Sequence, residues 1–467
     1  MSLTIRGVLI MLDRLKQFGR NFTETTPFIL SNTVIFIPYL LFLSLNNGYN
    51  WATVLPFTLF YTFRMTGLFL IRGIHAGLDS YTLLMISLLV GGAGSLLGLF
   101  GLLSFPLFYL SAICLGLSAA WLVPANVTVN FHEKQQGFIN IKGKKYIYAL
   151  IMLALLYEAV RLPMPLQLAA TLGFYTLLYV MAYHTVKHYP RYELDFKDVQ
   201  RNLIEKKELI LFFGFFISLF LLRTARLLMD TVLFDVALFS ILLLYILITF
   251  YLSRKKQTWV LPSWLNLLTF LDGMLGNFLF LFGTFYLGII AGFNQLATTL
   301  YFPYIVGLIL AKIVGPVVTK KLPEGHSIAS YCLGLLVSFG VLFSPNAFSI
   351  GILLLSLVHT LLGSHLNQLY EQLEEISPDQ RLIVKYTTQN KGSLTHQFFL
   401  MGVLLFLTKQ LGQPIRFLLR MTGTMRQSAE SIQLVEQAKW FNLSVLILLT
   451  VIVYYLWKEA KKNATIH

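Results

Sequence analysis

Arg64 is the residue whose setting most calls for chemistry. It lies in Tyr61-Thr62-Phe63-Arg64-Met65-Thr66, near the middle of an apolar run over residues 52–72. A guanidinium at membrane depth is costly and is kept where it meets a cavity, a partner or a ligand. Its functional use is to bind an anionic group or to balance an acid; the structural alternative is a buried ion pair that fixes helix packing. Asp272, in the run 262–290, is the candidate acid. A carboxylate inside the apolar domain is the group a proton-coupled carrier requires; its structural alternative is an interfacial Asp in a shorter helix that begins near Thr269. Glu158 and Arg161 are three apart on one helix face, which reads first as a local ion pair and second as a proton-entry point. Lys312 sits where it can extend to the interface. His359 and His365 are six residues apart, about 600° of helix rotation, so they share no face and make no metal pair.

The uncharged candidates are aromatic. Tyr61, Phe270, Phe278 and Tyr301 fall on runs that can line a cavity. Aromatic walls with a few charges suit an amphipathic ligand, whereas Asn32, Asn126, Asn266, Asn277 and Gln295 are too few for a sugar site. No metal cluster, nucleophile–base pair or phosphate loop is legible, and Gly363-Ser364-His365 lacks the strand–turn–helix setting of a nucleophile elbow. No cofactor is expected.

The elements that must position these residues are membrane helices. The chain has 467 residues, 56% hydrophobic and 12% charged, with a mean hydropathy of +0.70. A soluble domain carries about 25% charged residues, so this composition excludes a soluble globule. Runs of about 20 apolar residues occur at 28–46, 52–72, 81–103, 105–125, 146–162 and 164–184. After a charged loop over 185–208 they recur at 209–229, 231–252, 262–290, 297–318, 327–344, 347–366, 395–411 and 440–457. The expectation is an all-α polytopic membrane protein with about fourteen transmembrane helices. Residues 1–26 read as an amphipathic helix on the cytoplasmic surface, not a cleavable signal.

The net charge of +15 does not indicate nucleic acid. Lys and Arg concentrate in alternate short loops, such as Lys142, Lys144 and Lys145, Arg254, Lys255 and Lys256, and Lys320 and Lys321. That bias places both termini in the cytoplasm of a cell-membrane protein and brings the loops to membrane lipids. One segment departs from the alternation: residues 412–439 would lie outside yet carry Arg416, Arg420, Arg426 and Lys439, and they read as an external amphipathic element. Cys114 and Cys332 lie in separate apolar runs and suggest neither a disulfide nor a metal site.

Two stretches look like copies. Gly67-Leu68-Phe69-Leu70-Ile71-Arg72-Gly73 is followed by a span with Gly91, Gly92, Gly94 and Gly98. Gly315-Pro316-Val317-Val318-Thr319-Lys320 is followed by a span with Gly334 and Gly340. Each is a Gly, a four-residue step and a cation before the next helix, and small residues there allow close helix approach. This arrangement resembles the major facilitator superfamily, whose corresponding loop carries a Gly-x-x-x-Asp-Arg motif; Ile71 and Thr319 stand where the acid belongs. The stretch from Cys114 through Ala120 to Pro124-Ala125-Asn126 also looks like that family's fourth helix. The resemblance implies two six-helix bundles over 27–184 and 257–467, with two inserted helices over 209–256. It further implies alternating access, with Gly67, Arg72, Gly315 and Lys320 in the conformational-switch loops. Asp272 would fall on helix 7 of that plan.

The implied activity is secondary transport, and the resemblance to fourteen-helix drug/proton antiporters suggests efflux of an amphipathic or lipid-like compound coupled to protons. Two departures stand against that subfamily: residues 28–45 hold no acid, and residues 146–162 lack a Gly/Pro-rich antiporter motif. Peptide/proton symporters also carry two inserted helices, but their Glu-rich first-helix signature is absent. In the preferred reading Arg64, Tyr61, Asp272, Asn277 and Tyr301 contact substrate, and Asp272 or Glu158 carries the proton. The alternatives are a flippase for a glycolipid or lipid-linked glycan and a membrane-embedded acyl- or glycosyltransferase using His359 with a loop over 367–394.

Overall fold

The computed structural model describes residues 16–45, 50–74, 78–138, 145–190, 206–253, 261–292, 295–321, 327–421 and 428–464. Among them every element is helical. The chain divides into two compact units, Met1–Leu228 and Met229–His467.

In the first unit α1 (Lys16–Thr33) and α2 (Ile37–Ser44) are bent by 59°. Pro38, in the first turn of α2, has no N–H to continue the ladder back to Val34, which places the break there. The remaining helices are α3 (Trp51–Gly73), α4 (Ser80–Gly101), α5 (Leu107–Gln135), α6 (Lys145–Arg161), α7 (Leu166–Val186) and α8 (Lys206–Leu228). The second unit holds α9 (Thr231–Ser253), α10 (Ser263–Gly292), α11 (Phe302–Lys321), α12 (Ser327–Leu342), α13 (Phe348–Glu371), α14 (Pro378–Gln410), α15 (Ile415–Met421) and α16 (Ala429–Ala464). Asn50 caps α3 through Ala52 N at 3.0 Å, and Asp79 caps α4 through Thr82 N at 2.6 Å.

Each of the expected apolar runs falls on a helix. Among the described residues ten helices are long and apolar enough to cross a membrane, or eleven if the bent α1/α2 pair is one span. This is a multi-pass membrane protein. The count of about fourteen is not reached on those criteria: α6 has 17 residues and α12 has 16, and α14 is interrupted by Lys385, Gln389, Asn390, Lys391, His396 and Gln397.

Three expected boundaries move. Residues 16–24 open the helix α1, with residues 16–20 exposed at the surface. The segment packs within the first unit: Glu24 accepts from Lys145 Nζ at 2.6 Å, Thr185 Oγ1 donates to Thr23 O at 2.9 Å, and Phe18 meets Tyr148 edge-on at 5.3 Å. Residues 1–15 lie outside the described residues.

The two inserted helices do not form one insert. α8 packs on α3 within the first unit, through Phe63–Phe216 at 4.9 Å, Phe69–Phe215 at 5.4 Å and an Arg72–Glu208 ion pair at 3.3 Å. α9 belongs to the second unit, where Tyr245 hydrogen-bonds Thr395 on α14. The boundary is marked by Met229, with a left-handed φ of 55° that ends α8. Asp230 follows as the cap of α9, its Oδ1 accepting from Val232 N at 2.9 Å and Leu233 N at 3.1 Å.

Among the described residues, the segment 412–439 carries two helices. α15 covers part of it, and residues 429–439 are the opening turns of α16. Lys439, fully buried, pairs with Glu436 at 2.6 Å and donates to Tyr286 Oη and Phe343 O, each at 3.1 Å. Its charge is consumed inside the unit, which is why it broke the pattern of loop charges.

Glycines set the closest approaches. A Cβ at Gly94 would meet Cys114 Cβ at 2.8 Å, and one at Gly98 would meet Ser111 Oγ at 2.7 Å, so α4 and α5 are nearly in backbone contact. The second copy is less tight: a Cβ at Gly334 would meet Val358 at 3.1 Å, and Gly340 has open space.

Candidate functional site

Among the described residues, each unit brings several of the expected charged residues or their neighbours together. In the second, Asp272 lies in the third turn of α10, which begins at Ser263; it is not an N-terminal residue of a shorter helix. It is 2% exposed. His359 Nε2 on α13 lies 3.3 Å from its Oδ1 and 3.2 Å from its backbone oxygen. Gln389 Nε2 on α14 donates to its Oδ2. Lys385, also 2% exposed, donates to Asn367 Oδ1 at 2.6 Å and lies within the field of Asp272. Further along, Asn277 Nδ2 meets His396 Nδ1 at 2.8 Å.

The local sequence explains this assembly. Lys385, Gln389, Gly392 and His396 recur at steps of three and four, so they form one polar stripe along α14. The stripe can lie against α10 because Gly273 and Gly392 have no side chains: a Cβ on Gly273 would run into Gln389 O, and one on Gly392 into Phe270 O. α10 contains π-helical turns at Phe278–Phe282 and Gly288–Gly292, and another at Ala297–Tyr301 leads into α11. Such turns leave the regular ladder and recur at functional sites.

In the first unit Arg64 on α3 and Arg223 and Arg226 on α8 share a neighbourhood with Tyr39 and Tyr61. Arg64 and Arg226 each lie within electrostatic range of Arg223, with Tyr39 and Tyr61 close by. The Arg223 guanidinium stacks 3.8 Å from the Tyr61 ring centroid. Tyr39 meets Phe57 at 4.9 Å and Tyr61 at 6.1 Å.

The remaining expected residues are placed as follows. Arg64 belongs to the first unit and Asp272 to the second, and each has its own neighbours there. Glu158 and Arg161 form an exposed i,i+3 pair at 3.8 Å. Tyr301 is 40% exposed. Gly67 is a packing residue: its carbonyl accepts from Trp121 Nε1 at 2.9 Å, and a Cβ would meet Ala120 Cβ at 2.8 Å. Gly315 lies against Leu361. Lys320 lies in the last turn of α11. His365 meets Ser327 Oγ at 3.2 Å, away from His359. The loop expected over 367–394 is mostly helix, because α13 extends to Glu371 and α14 starts at Pro378.

Sequence reasoning missed Lys385 and Gln389 as partners of Asp272, and Arg223 and Arg226 as partners of Arg64. The signal for the first pair was the helical spacing of polar residues from 385 to 396, masked by their resemblance to a loop. For the second it was a pair of arginines three apart at the end of an apolar run.

A scan against family models and a search of curated proteins gave no match. Among solved structures, the chain is similar to an auto-inhibited POT family peptide transporter at 14% identity, covering 95% of this chain and 97% of that one with a TM-score of 0.48. It is similar to the major facilitator superfamily transporter FucP in the outward conformation at 11% identity, 94% and 98% coverage and a TM-score of 0.45. The POT family transporter PepTSo gives 11% identity, 96% and 98% coverage and a TM-score of 0.47. All three scores are below 0.5, so the functional reading rests on the chain's own residues.

Proposed function

We propose that this chain is a secondary active transporter that exports an amphipathic or lipid-like compound by alternating access, coupled to protons. The observation that carries the reading is Asp272: a carboxylate buried within a multi-helix membrane unit, beside His359 and Gln389, with buried Lys385 one turn from Gln389 on α14. Ionisable groups inside a membrane domain mark ion or substrate pathways. Here a carboxylate, an imidazole and an amine converge from α10, α13 and α14. The cluster can redistribute charge when a proton arrives or leaves without exposing an unpaired ion. Asp272 is preferred over Glu158 as proton carrier because Glu158 is exposed and engaged with its helical neighbour Arg161. The aromatic surroundings of Arg64 and Tyr61 supply the amphipathic lining.

The test is pH-gradient-driven flux in proteoliposomes, with lipophilic cations, fluorescent amphipathic anions and fluorescent glycolipids assayed side by side. Gradient-dependent movement lost in Asp272→Asn supports proton-coupled transport. Flux that persists unchanged in Asp272→Asn removes Asp272 from the coupling role. Gradient-independent movement of glycolipid alone favours the flippase alternative, and covalent turnover of a lipid would establish the transferase.

A further inference from the structure

Three arginines of the first unit stand apart from its ion pairs. Among the described residues no ion pair reaches Arg64, Arg223 or Arg226: Glu24 pairs with Lys145, Glu208 with Arg72 and Glu158 with Arg161, and Asp79 caps α4. Arg223 is only 7% exposed, yet its Nε has no hydrogen-bond partner, and Arg226 Nε and Nη1 are likewise buried and unpartnered. Arg223 lies within electrostatic range of both Arg64 and Arg226, so like charges oppose one another across two packed helices. A buried, unpaired charge is among the most costly features a fold can carry. Nothing in the packing of α3 on α8 requires it, since the Phe63–Phe216 and Phe69–Phe215 contacts already join those helices.

We propose that Arg64, Arg223 and Arg226 form a binding site for a phosphate-monoester dianion carried on an apolar body. The chemistry follows from the donors. Guanidinium forks present parallel N–H groups that match the tetrahedral oxygens of a phosphate in bidentate fashion. Three positive charges balance a dianion, with one left to hold the Tyr61 face, where Arg223 already stacks. Tyr39 and Phe57 extend that face with apolar surface. Arg223 of α8 meets Tyr61 of α3 across the helix contact, with Arg64 one turn from Tyr61 on α3 and Arg226 one turn from Arg223 on α8. This deepens the transport reading by naming the substrate class, and it rests on that reading for movement of the ligand but not for its binding.

The test uses the full chain in detergent and in lipid nanodiscs. Thermal shift and titration calorimetry are run with inorganic phosphate, hexyl phosphate, hexanol and hexanoate, and nanodiscs of pure phosphatidylcholine are compared with nanodiscs containing phosphatidic acid. Hexyl phosphate is expected to stabilise the protein, with hexanoate weaker and hexanol inactive. Arg226→Gln and Arg64→Gln should each weaken hexyl phosphate binding at least about tenfold, equivalent to about 1.4 kcal/mol. Both should also raise the melting temperature of the ligand-free protein by relieving repulsion, a gain that a merely structural ion pair would not give. Arg226→Lys, which keeps the charge but not the fork, should retain part of the affinity.

Stabilisation by soluble phosphate esters identifies a free anionic substrate. A shift confined to phosphatidic acid nanodiscs identifies a lipid headgroup. Either supports the site. Equal responses of wild type and all variants, or no response to any phosphate, overturn it. If proton-driven flux persists while phosphate binding is absent, the anion site fails and the transport reading stands. If binding is present without any flux, the transport reading fails and the site stands.

Discussion

At the residue scale, the two clusters show opposite ways of holding charge in a low-dielectric domain. Asp272 has His359 and Gln389 beside its carboxylate, and Lys385 is satisfied by Asn367 at 2.6 Å, so these buried charges have polar neighbours within the unit. Removing the lysine leaves its part-buried acceptors unsatisfied, at a cost of about 1–3 kcal/mol. Lys385→Met should therefore lower the melting temperature in detergent markedly. The double variant with Asp272→Asn should lose less than the sum of the single losses, with a coupling of about 0.5–3 kcal/mol. Additive losses in a double-mutant cycle would separate the two residues energetically. Lys439 illustrates the same physics in a structural setting. It is paired with Glu436 and bonded to Tyr286 and Phe343, so Lys439→Leu should reduce stability without altering the ion selectivity of transport.

At the element scale, glycine decides which helices can bring their polar faces together. The α10–α14 contact admits no side chain at Gly273 or Gly392. Gly273→Ala and Gly392→Ala should each cost about 1–3 kcal/mol or more by forcing the backbones apart, and both should impair flux by moving Gln389 away from Asp272. Gly276 and Gly402 are the controls. A Cβ at Gly276 would make ordinary contact with His359 at 3.7 Å, and Gly402 has open space. Alanine there should be tolerated in the same thermal and flux assays. The placement of α8 is open to a direct check. In a background without Cys114 and Cys332, Phe63→Cys and Phe216→Cys should cross-link on mild oxidation in native membranes, because their rings lie 4.9 Å apart. Absence of that cross-link would return α8 to a separate insert.

At the scale of the whole molecule, each unit contributes one charge cluster, and the clusters are assigned different duties. In the proposed cycle the first unit grips the substrate's anionic group and the second handles the proton. The kinetic consequence is a separation of phenotypes. Arg64→Gln should raise KM for an anionic substrate at least about tenfold. Asp272→Asn should abolish gradient-driven accumulation while leaving substrate exchange across the membrane intact. Loss of exchange and of gradient drive together in Asp272→Asn would merge the two duties into one site.

Much of this was fixed by composition and spacing. Apolar runs of membrane length can only be satisfied as helices, because the backbone polar groups have no water to bond, so each run that the sequence marks is helical. A lone Arg64 or Asp272 inside such a run is visible for the same reason: its cost makes it informative. The sequence could not decide who their neighbours are, since those come from helices distant in sequence. Lys385 and Gln389 meet Asp272 only because Gly273 and Gly392 let α10 and α14 nearly touch. Arg223 and Arg226 join Arg64 only because α8 packs on α3 and leaves α9 to the other unit. Hydropathy scores one segment at a time and registers how apolar it is, whereas the pairing of buried charges depends on which faces meet, and that is decided by packing.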